Sequence, residues 1–310
     1  MNIIFMGTPQ FAVPILEMLH QEHHVLMVVT QPDKAVGRKK VLTASPVKEK
    51  ALALSLPVFQ PVKLKENYQP ILDVKPDLLI TAAYGQMLPN TLLDQVKAIN
   101  VHGSLLPKYR GGAPIQYALF DGLRETGITI MYMAYKMDSG DIIRQRALSI
   151  FENDHYGSLS ERLSYLGRDL LKEVLNEMKQ HDISSYPQDE SKVTFAYTLK
   201  PADEIIHFHT TTEAIINKIR GLTPEPGATV SIKNTTLKFY RAQKSDIIDK
   251  EAVPGTVLMA KKKLVIRTLD GAIEILEIQA PGKKIMPIKD FLNGQQLLNE
   301  GDVFEERKYF

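Results

Sequence analysis

The sequence contains no cysteine and no tryptophan. The missing thiols exclude disulfides, thiolate-bound zinc, cysteine nucleophiles and cysteine-ligated iron–sulfur clusters, and they accord with a reducing compartment. No apolar run approaches the roughly 20 residues that a membrane span requires. Met1-Asn2-Ile3-Ile4-Phe5 enters an apolar segment directly, without the basic stretch and small-residue cleavage pattern of a secretory signal, so a cytoplasmic location is expected. Charge of one sign is scarce as well: 38 Lys and Arg stand against 36 Asp and Glu, a net +2. Any polyanionic partner must therefore meet a local basic patch and not a global field. What is present is ordinary. The 310 residues, 44% hydrophobic and 24% charged, suffice for two domains of roughly 100–200 residues, each with its own core.

Hydrophobic periodicity divides the chain. Apolar, β-rich runs at 3–6, 25–30, 77–81 and 99–102 alternate with helix-like segments after Pro9, at 45–54 and at 92–96. This alternation predicts an α/β domain with a Rossmann-like, mostly parallel sheet. Runs at 127–133 and 142–150 leave little room for a helix between them and predict an antiparallel excursion, followed by a long amphipathic helix over 157–178. A polar, proline-containing stretch around 184–191 reads as a linker. The expected division is 1–183, a linker at 184–203, and 204–310. The last part offers a helix over 211–220 and five short strands at 228–232, 236–241, 255–259, 264–268 and 272–278, which suggest a C-terminal OB-type β-barrel.

The densest cluster of chemically useful residues is Asn100-Val101-His102-Gly103-Ser104-Leu105-Leu106-Pro107-Lys108-Tyr109-Arg110-Gly111-Gly112-Ala113-Pro114-Ile115. It falls where a strand should end, and ligands of open α/β sheets bind beyond the carboxyl ends of strands. The two-residue period of a strand puts Asn100 and His102 on one side. A second cluster, Met137-Asp138-Ser139-Gly140-Asp141, follows the run at 127–133. If the two strands adjoin, Asp138 reaches His102 and sets its tautomer, as a carboxylate does beside many general bases. Taken singly, each cluster is equally an ordinary turn, one of them holding an internally bonded histidine. Gly7-Thr8-Pro9 follows the first strand but lacks the Gly-x-Gly-x-x-Gly spacing of a dinucleotide site, which disfavours an oxidoreductase on this scaffold. His207-x-His209 invites a metal, yet two histidines alone define no site.

Basic residues gather in two places. Six of them, Lys34, Arg38, Lys39, Lys40, Lys48 and Lys50, lie within 31–50 against Asp33 and Glu49. Between 213 and 290 there are 14 basic and 9 acidic residues, densest at Lys261-Lys262-Lys263 and Lys283-Lys284. Such runs are most often solvated surface, but neutralised phosphates would give them salt-dependent, sequence-blind affinity for a nucleic acid.

Taken in order, these motifs resemble those of the methionyl-tRNA formyltransferase family over essentially the whole chain. They are Phe5-Met6-Gly7-Thr8-Pro9-Gln10-Phe11-Ala12-Val13-Pro14, Gln31-Pro32-Asp33, Gly37-Arg38-Lys39-Lys40, Ser45-Pro46-Val47-Lys48, the cluster at 100–115, Asp138-Ser139-Gly140-Asp141, and Gln279-Ala280-Pro281-Gly282-Lys283-Lys284 followed by Asp290-Phe291-Leu292-Asn293-Gly294. The resemblance implies transfer of a formyl group from 10-formyltetrahydrofolate, a co-substrate, to the amino group of methionine esterified to initiator tRNA. It implies that Asn100, His102 and Asp138 are catalytic, that Ser104, Leu105, Leu106 and Pro107 bind folate, and that Tyr84, Gln86 and Met87 wall the pterin pocket. It further implies that Arg38, with Lys39 and Lys40, enters the acceptor-stem end of the tRNA, while Lys261, Lys262, Lys263, Lys283 and Lys284 meet phosphates. No metal is expected, and the expected state is a monomer. Two departures from the family pattern, Thr223-Pro224-Glu225-Pro226 and His207, fall in the C-terminal part and bear on tRNA docking, not on the reaction. The competing readings are another folate-dependent formyltransferase or a 10-formyltetrahydrofolate hydrolase, and a catalytically silent RNA-binding protein. The basic insertion and C-terminal barrel disfavour the first pair, and the retained Asn, His and Asp disfavour the last.

Overall fold

The computed structural model describes residues 1–37, 41–180, 182–247, 249–294 and 297–305, which form two compact units. The first takes in Met1–Pro114, Glu125–Ser149 and Ser160–Tyr197; the second takes in Ile115–Arg124, Ile150–Leu159 and the chain from Thr198 onward.

The first unit opens with β1 (Asn2–Gly7), whose Ile3, Ile4, Phe5 and Met6 are fully buried, as a central parallel strand covered on both faces requires. It leads through α1 (Val13–Glu22) to β2 (His24–Val29). A short antiparallel hairpin follows, β3 (Lys34–Val36) with β4 (Val41–Thr43), which sequence periodicity did not foresee. Ser45 then caps α2 (Pro46–Ala53) by accepting the Lys48 amide at 3.1 Å, with Pro46 in the first turn. Next come β5 (Val58–Phe59), α3 (Gln69–Asp73), β6 (Leu78–Ala82), the single turn α4 (Asn90–Leu93) and β7 (Ala98–His102). After α5 (Pro114–Phe120), which from Ile115 belongs to the second unit, β8 (Glu125–Tyr132) and β9 (Ile142–Ser149) add the expected antiparallel excursion, and α6 (Tyr156–Met178) closes over the sheet from Ser160 onward.

The strands are ordered β5-β2-β1-β6-β7-β8-β9, parallel up to β7 and antiparallel beyond it. The chain leaves β1 for β2 on one side and returns to β6 on the other, so the topological switch lies between β1 and β6, beside β7. Leu163, Leu170, Leu171, Val174 and Leu175 of α6 are fully buried at helical spacing. Gly167 lets this helix approach β7, since a Cβ there would stand 2.9 Å from Val101 Cγ1.

In the second unit α7 (Thr212–Gly221) precedes the five strands expected from sequence: β10 (Ala228–Ile232), β11 (Thr235–Lys244), β12 (Val257–Met259), β13 (Leu264–Arg267) and β14 (Ala272–Gln279). They pair antiparallel in the order β10-β11-β14-β13-β12, and β15 (Met286–Pro287) joins β14 before α8 (Ile288–Leu292). The sheet curls around Leu237, Phe239, Ile266, Ile273 and Ile275. Residues 302–305 bring its two edges together. Glu305 N–H donates to Ser231 O of β10 at 2.8 Å, while Val257 N–H of β12 donates to Asp302 O at 2.7 Å. Both edges thus gain backbone partners that an open sheet would leave unpaired. No helix among the described residues is long and apolar enough to cross a membrane.

Candidate active site

Asn100 and His102 leave β7 on one face and meet Asp138 there, as the strand alternation and the turn after 133 require. Thr81 of the neighbouring β6 fixes the Asn100 amide by donating its hydroxyl hydrogen to Oδ1 at 2.8 Å. Nδ2 therefore faces Asp138 Oδ1, at 3.4 Å. His102 is buried, and its Nε2 donates to the Tyr109 carbonyl at 2.9 Å. A carbonyl only accepts, so this contact selects the tautomer with hydrogen on Nε2. The other nitrogen, Nδ1, stands 3.7 Å from Asp138 Oδ2. Any further proton on the ring thus sits towards the carboxylate.

Asp138 is held in an uncommon backbone conformation, with φ of 50°. Its Oδ2 accepts the Gly111 amide at 2.8 Å. Gly111 has φ of 125°, and a Cβ at that position would lie 2.5 Å from Ala196 O, so only glycine fits between Asp138 and the 194–197 segment. The Asp138 and Gly140 carbonyls both accept from Gln188 Nε2, each at 2.8 Å, and Gln188 Oε1 accepts from buried Arg110. Gln188 sits in the stretch that reads as a linker. Residues up to Tyr197 pack with the first unit.

The 104–107 segment is fixed from behind by β8 and β9. Ser104 Oγ donates to Lys108 O at 2.6 Å, Thr129 bonds both Ser104 O and Leu106 N, and Gln145 donates to Leu106 O at 2.8 Å. Leu106 packs with Met131 and Ile142, Leu105 lies against Gly127, and Pro107 O accepts the Thr194 amide at 3.4 Å. Thr129 sits directly opposite His102 in the β7–β8 register, which joins this segment to the Asn–His face.

Tyr84, Gln86 and Met87 form a different group. The Tyr84 ring is buried with Ile4, Leu79 and Leu88, its hydroxyl has no hydrogen-bond partner among the described residues, and burial pushes the phenol up to about 12. Its carbonyl accepts from Thr8 Oγ1 at 2.8 Å and Gln31 Nε2 at 3.1 Å, tying the sequence motifs after β1 and β2 to the end of β6. Gln86 clasps the chain at 61–64 through Pro61 O, Val62 O and Leu64 N, and Met87 is exposed. None of the three hydrogen-bonds to Asn100, His102 or Asp138.

Arg38, Lys39 and Lys40 lie outside the described residues. Of the other basic residues in that insertion, Lys48 is paired with Asp33 at 2.7 Å and Lys50 with Glu17 at 2.6 Å. Bonds from Gln60 and Lys48 hold the Asp33 carboxyl below the usual range. At the hairpin, Val41 and Leu42 are exposed. Lys261–Lys263 occupy the β12–β13 connection, and Lys283 and Lys284 the β14–β15 connection. Leu264 pairs with Ile275 in the antiparallel β13–β14 ladder, so both connections lie at one end of the sheet. Lys263 contacts Glu274 at 3.0 Å, whereas the other four make no ion pair among the described residues. In the first unit, exposed Phe195 and Tyr197 stack with centroids 5.5 Å apart and planes 2° from parallel. Among the described residues, no cluster of three or more His, Asp or Glu is placed to hold a metal ion.

Comparison with known proteins gives the class first. Residues 1–175 match the formyl transferase family and residues 198–296 the formyl transferase C-terminal domain. Methionyl-tRNA formyltransferase of Lactiplantibacillus plantarum is 50% identical over 301 residues, spanning 94% of this chain and 95% of the relative. The Staphylococcus aureus enzyme of that name is 48% identical over 301 residues, spanning 95% and 96%. The solved methionyl-tRNA formyltransferase from Clostridium thermocellum shares the fold with a TM-score of 0.59, at 19% identity, over 82% of this chain and 100% of that one. The chain belongs to the formyl transferases and, within them, to the methionyl-tRNA formyltransferase family.

Proposed function

We infer that the protein moves the formyl group of 10-formyltetrahydrofolate onto the amino group of methionine carried by initiator tRNA, with Asn100, His102 and Asp138 as its catalytic residues. The observation that carries this reading is the convergence of those three side chains beyond β7, beside the braced 104–107 segment. A neutral amine attacks the formyl carbon, the new C–N bond forms, and the carbonyl oxygen becomes an oxyanion. Asn100 Nδ2–H and a protonated His102 Nδ1–H supply hydrogen bonds to it. Asp138 accepts a proton from the cationic nitrogen that the attack creates and returns one to the folate nitrogen as the original C–N bond breaks, directly or through water. No enzyme-bound acyl intermediate is required.

In this reading the first unit, which runs on through Tyr197 and so takes in most of the stretch expected to be a linker, carries the chemistry, and 204–310 form an OB-type domain for tRNA. Bridging of the β10 and β12 edges by 302–305 supports the barrel. Ser104 to Pro107 hold the folate, with Tyr84, Gln86 and Met87 as its outer wall. Arg38, Lys39 and Lys40 approach the acceptor end, while Lys261, Lys262, Lys263, Lys283 and Lys284 neutralise phosphates. The stacked Phe195 and Tyr197 offer flat faces to unpaired bases close to the catalytic loop. The enzyme acts in the cytoplasm as a monomer.

The test is formyl transfer from 10-formyltetrahydrofolate at one salt concentration, comparing methionylated initiator tRNA, methionylated elongator tRNA, free methionine and glycinamide ribonucleotide. Transfer confined to the charged initiator is expected. Transfer to glycinamide ribonucleotide, or bare release of formate, leaves the folate site and overturns the tRNA assignment.

A further inference from the structure

We propose that Gln188 is a positioning residue for the reaction, acting with Arg110 to hold Asp138 at the working distance from His102. The inference rests on the catalytic reading above and extends it to a residue 50 positions away from Asp138 in sequence.

Every hydrogen-bonding site of the Gln188 side chain is used. Nε2 gives its two hydrogens to Asp138 O and Gly140 O, each at 2.8 Å, and Oε1 receives Arg110 Nε at 3.0 Å and NH2 at 2.8 Å. The set admits one amide orientation. Turned over, the NH2 would face guanidinium hydrogens and the oxygen would face two carbonyls. Arg110 is itself fixed. It is buried, its outer edge reaches Glu190 at 2.7 and 3.3 Å, and its backbone bonds Thr194 O and Ala196 N. The next residue, Gly111, holds the Asp138 carboxylate through its amide.

Asp138 is thus gripped twice, at its carbonyl through Gln188 and at its carboxylate through Gly111, with one rigid dipeptide behind both grips. The grip is needed because the φ of 50° is one that aspartate leaves readily when unsupported. Released, the loop would relax and carry the carboxylate away from His102 and Asn100. Substrate contacts would remain, but the proton acceptor would be misplaced, so turnover falls while affinity stays.

The experiment is a double-mutant cycle on the full chain, with kcat and KM measured for both substrates and the thermal midpoint measured for each protein. Gln188→Ala, and Gln188→Glu, which has no hydrogens to give the two carbonyls, are each expected to lower kcat roughly tenfold or more, with KM within about threefold. In an Asp138→Asn background, Gln188→Ala should change kcat by less than about twofold, because the group it positions is already disabled. Equal losses in both backgrounds, unchanged kcat, or a loss carried by KM would overturn the proposal. Should Gln188→Ala fail to fold, Gln188→Glu and Arg110→Lys carry the same cycle with the same criteria. Failure of the functional reading looks different: the unmodified protein would then formylate no methionyl-tRNA.

Discussion

Thr129 donates its hydroxyl hydrogen to the Ser104 carbonyl at 2.6 Å and accepts the Leu106 amide at 3.0 Å, so one β8 side chain stands in for a strand neighbour along the 104–106 loop. Gln145 on β9 completes the brace, reaching both Thr129 Oγ1 and Leu106 O at 2.8 Å. The loop proposed to hold folate is irregular in its own backbone yet anchored to β8 and β9 at Ser104 O, Leu106 N and Leu106 O.

Thr129→Val keeps the shape and removes the hydroxyl, leaving a buried carbonyl and a buried amide unsatisfied. The expected stability loss is roughly 2–3 kcal/mol by denaturant midpoint. KM for 10-formyltetrahydrofolate should rise while KM for the tRNA holds. An unchanged folate KM would separate this loop from folate binding.

His102→Ala and Asp138→Ala should each lose roughly 10²–10⁴-fold in kcat while binding of methionyl-tRNA is kept, as expected of groups that move or stabilise a proton at the reacting centre. Turnover near that of the unmodified protein in His102→Ala would remove the mechanism.

Replacing Lys261, Lys262, Lys283 and Lys284 by alanine should lower the slope of log Kd against log salt for tRNA by roughly one for each phosphate that is no longer neutralised, with kcat at saturating tRNA retained. Arg38→Ala, in the residue proposed to approach the acceptor end, should instead reduce productive engagement at every salt concentration. An unaltered slope in the quadruple variant would place the phosphate-binding groups elsewhere.

Phe195→Leu and Tyr197→Leu keep apolar bulk but remove the ring faces. A roughly tenfold rise in KM for methionyl-tRNA is expected, with Phe195→Tyr and Tyr197→Phe near normal. Equal KM for the leucine and aromatic variants would show that no base stacks there.

His23 closes α1 with its Nδ1 buried and unbonded among the described residues, and burial, aided by Lys179, pulls its pKa from 6.5 to about 4. Between those values the unfolded chain binds a proton that the folded chain refuses, so stability falls as pH drops through the window and the loss is complete below about 4. His23→Leu should flatten this part of the melting-temperature profile. A profile unchanged by the substitution would assign the acid sensitivity to other groups.

Much of the scaffold was legible because period-2 and period-3.6 patterns are local: the strand at 3–6, the helix at 157–178 and all five strands beyond 228 follow from them. The β3–β4 hairpin escaped because its strands are only three residues long and β4 is exposed throughout, Val41 and Leu42 included. At the site, Asn100 and His102 were visible through strand alternation, and Asp138 through its turn. Thr129, Gln145 and Gln188 were not. Their polar atoms reach across the fold, and a glutamine in a polar stretch looks the same whether it faces water or two loop carbonyls. The rule that buried polar groups must be bonded identifies such residues only once the burial is known.

The interleaved make-up of the second unit has a consequence for synthesis on the ribosome. Ile115–Arg124 and Ile150–Leu159 belong with a unit whose remaining residues start at Thr198 and whose sheet edges, among the described residues, meet through 302–305. At about 5–20 residues per second, those early segments wait roughly 7–30 s for their final neighbours to emerge. During that interval the nascent chain displays the incomplete apolar surface of these segments, and this is where a ribosome-associated chaperone would find its target.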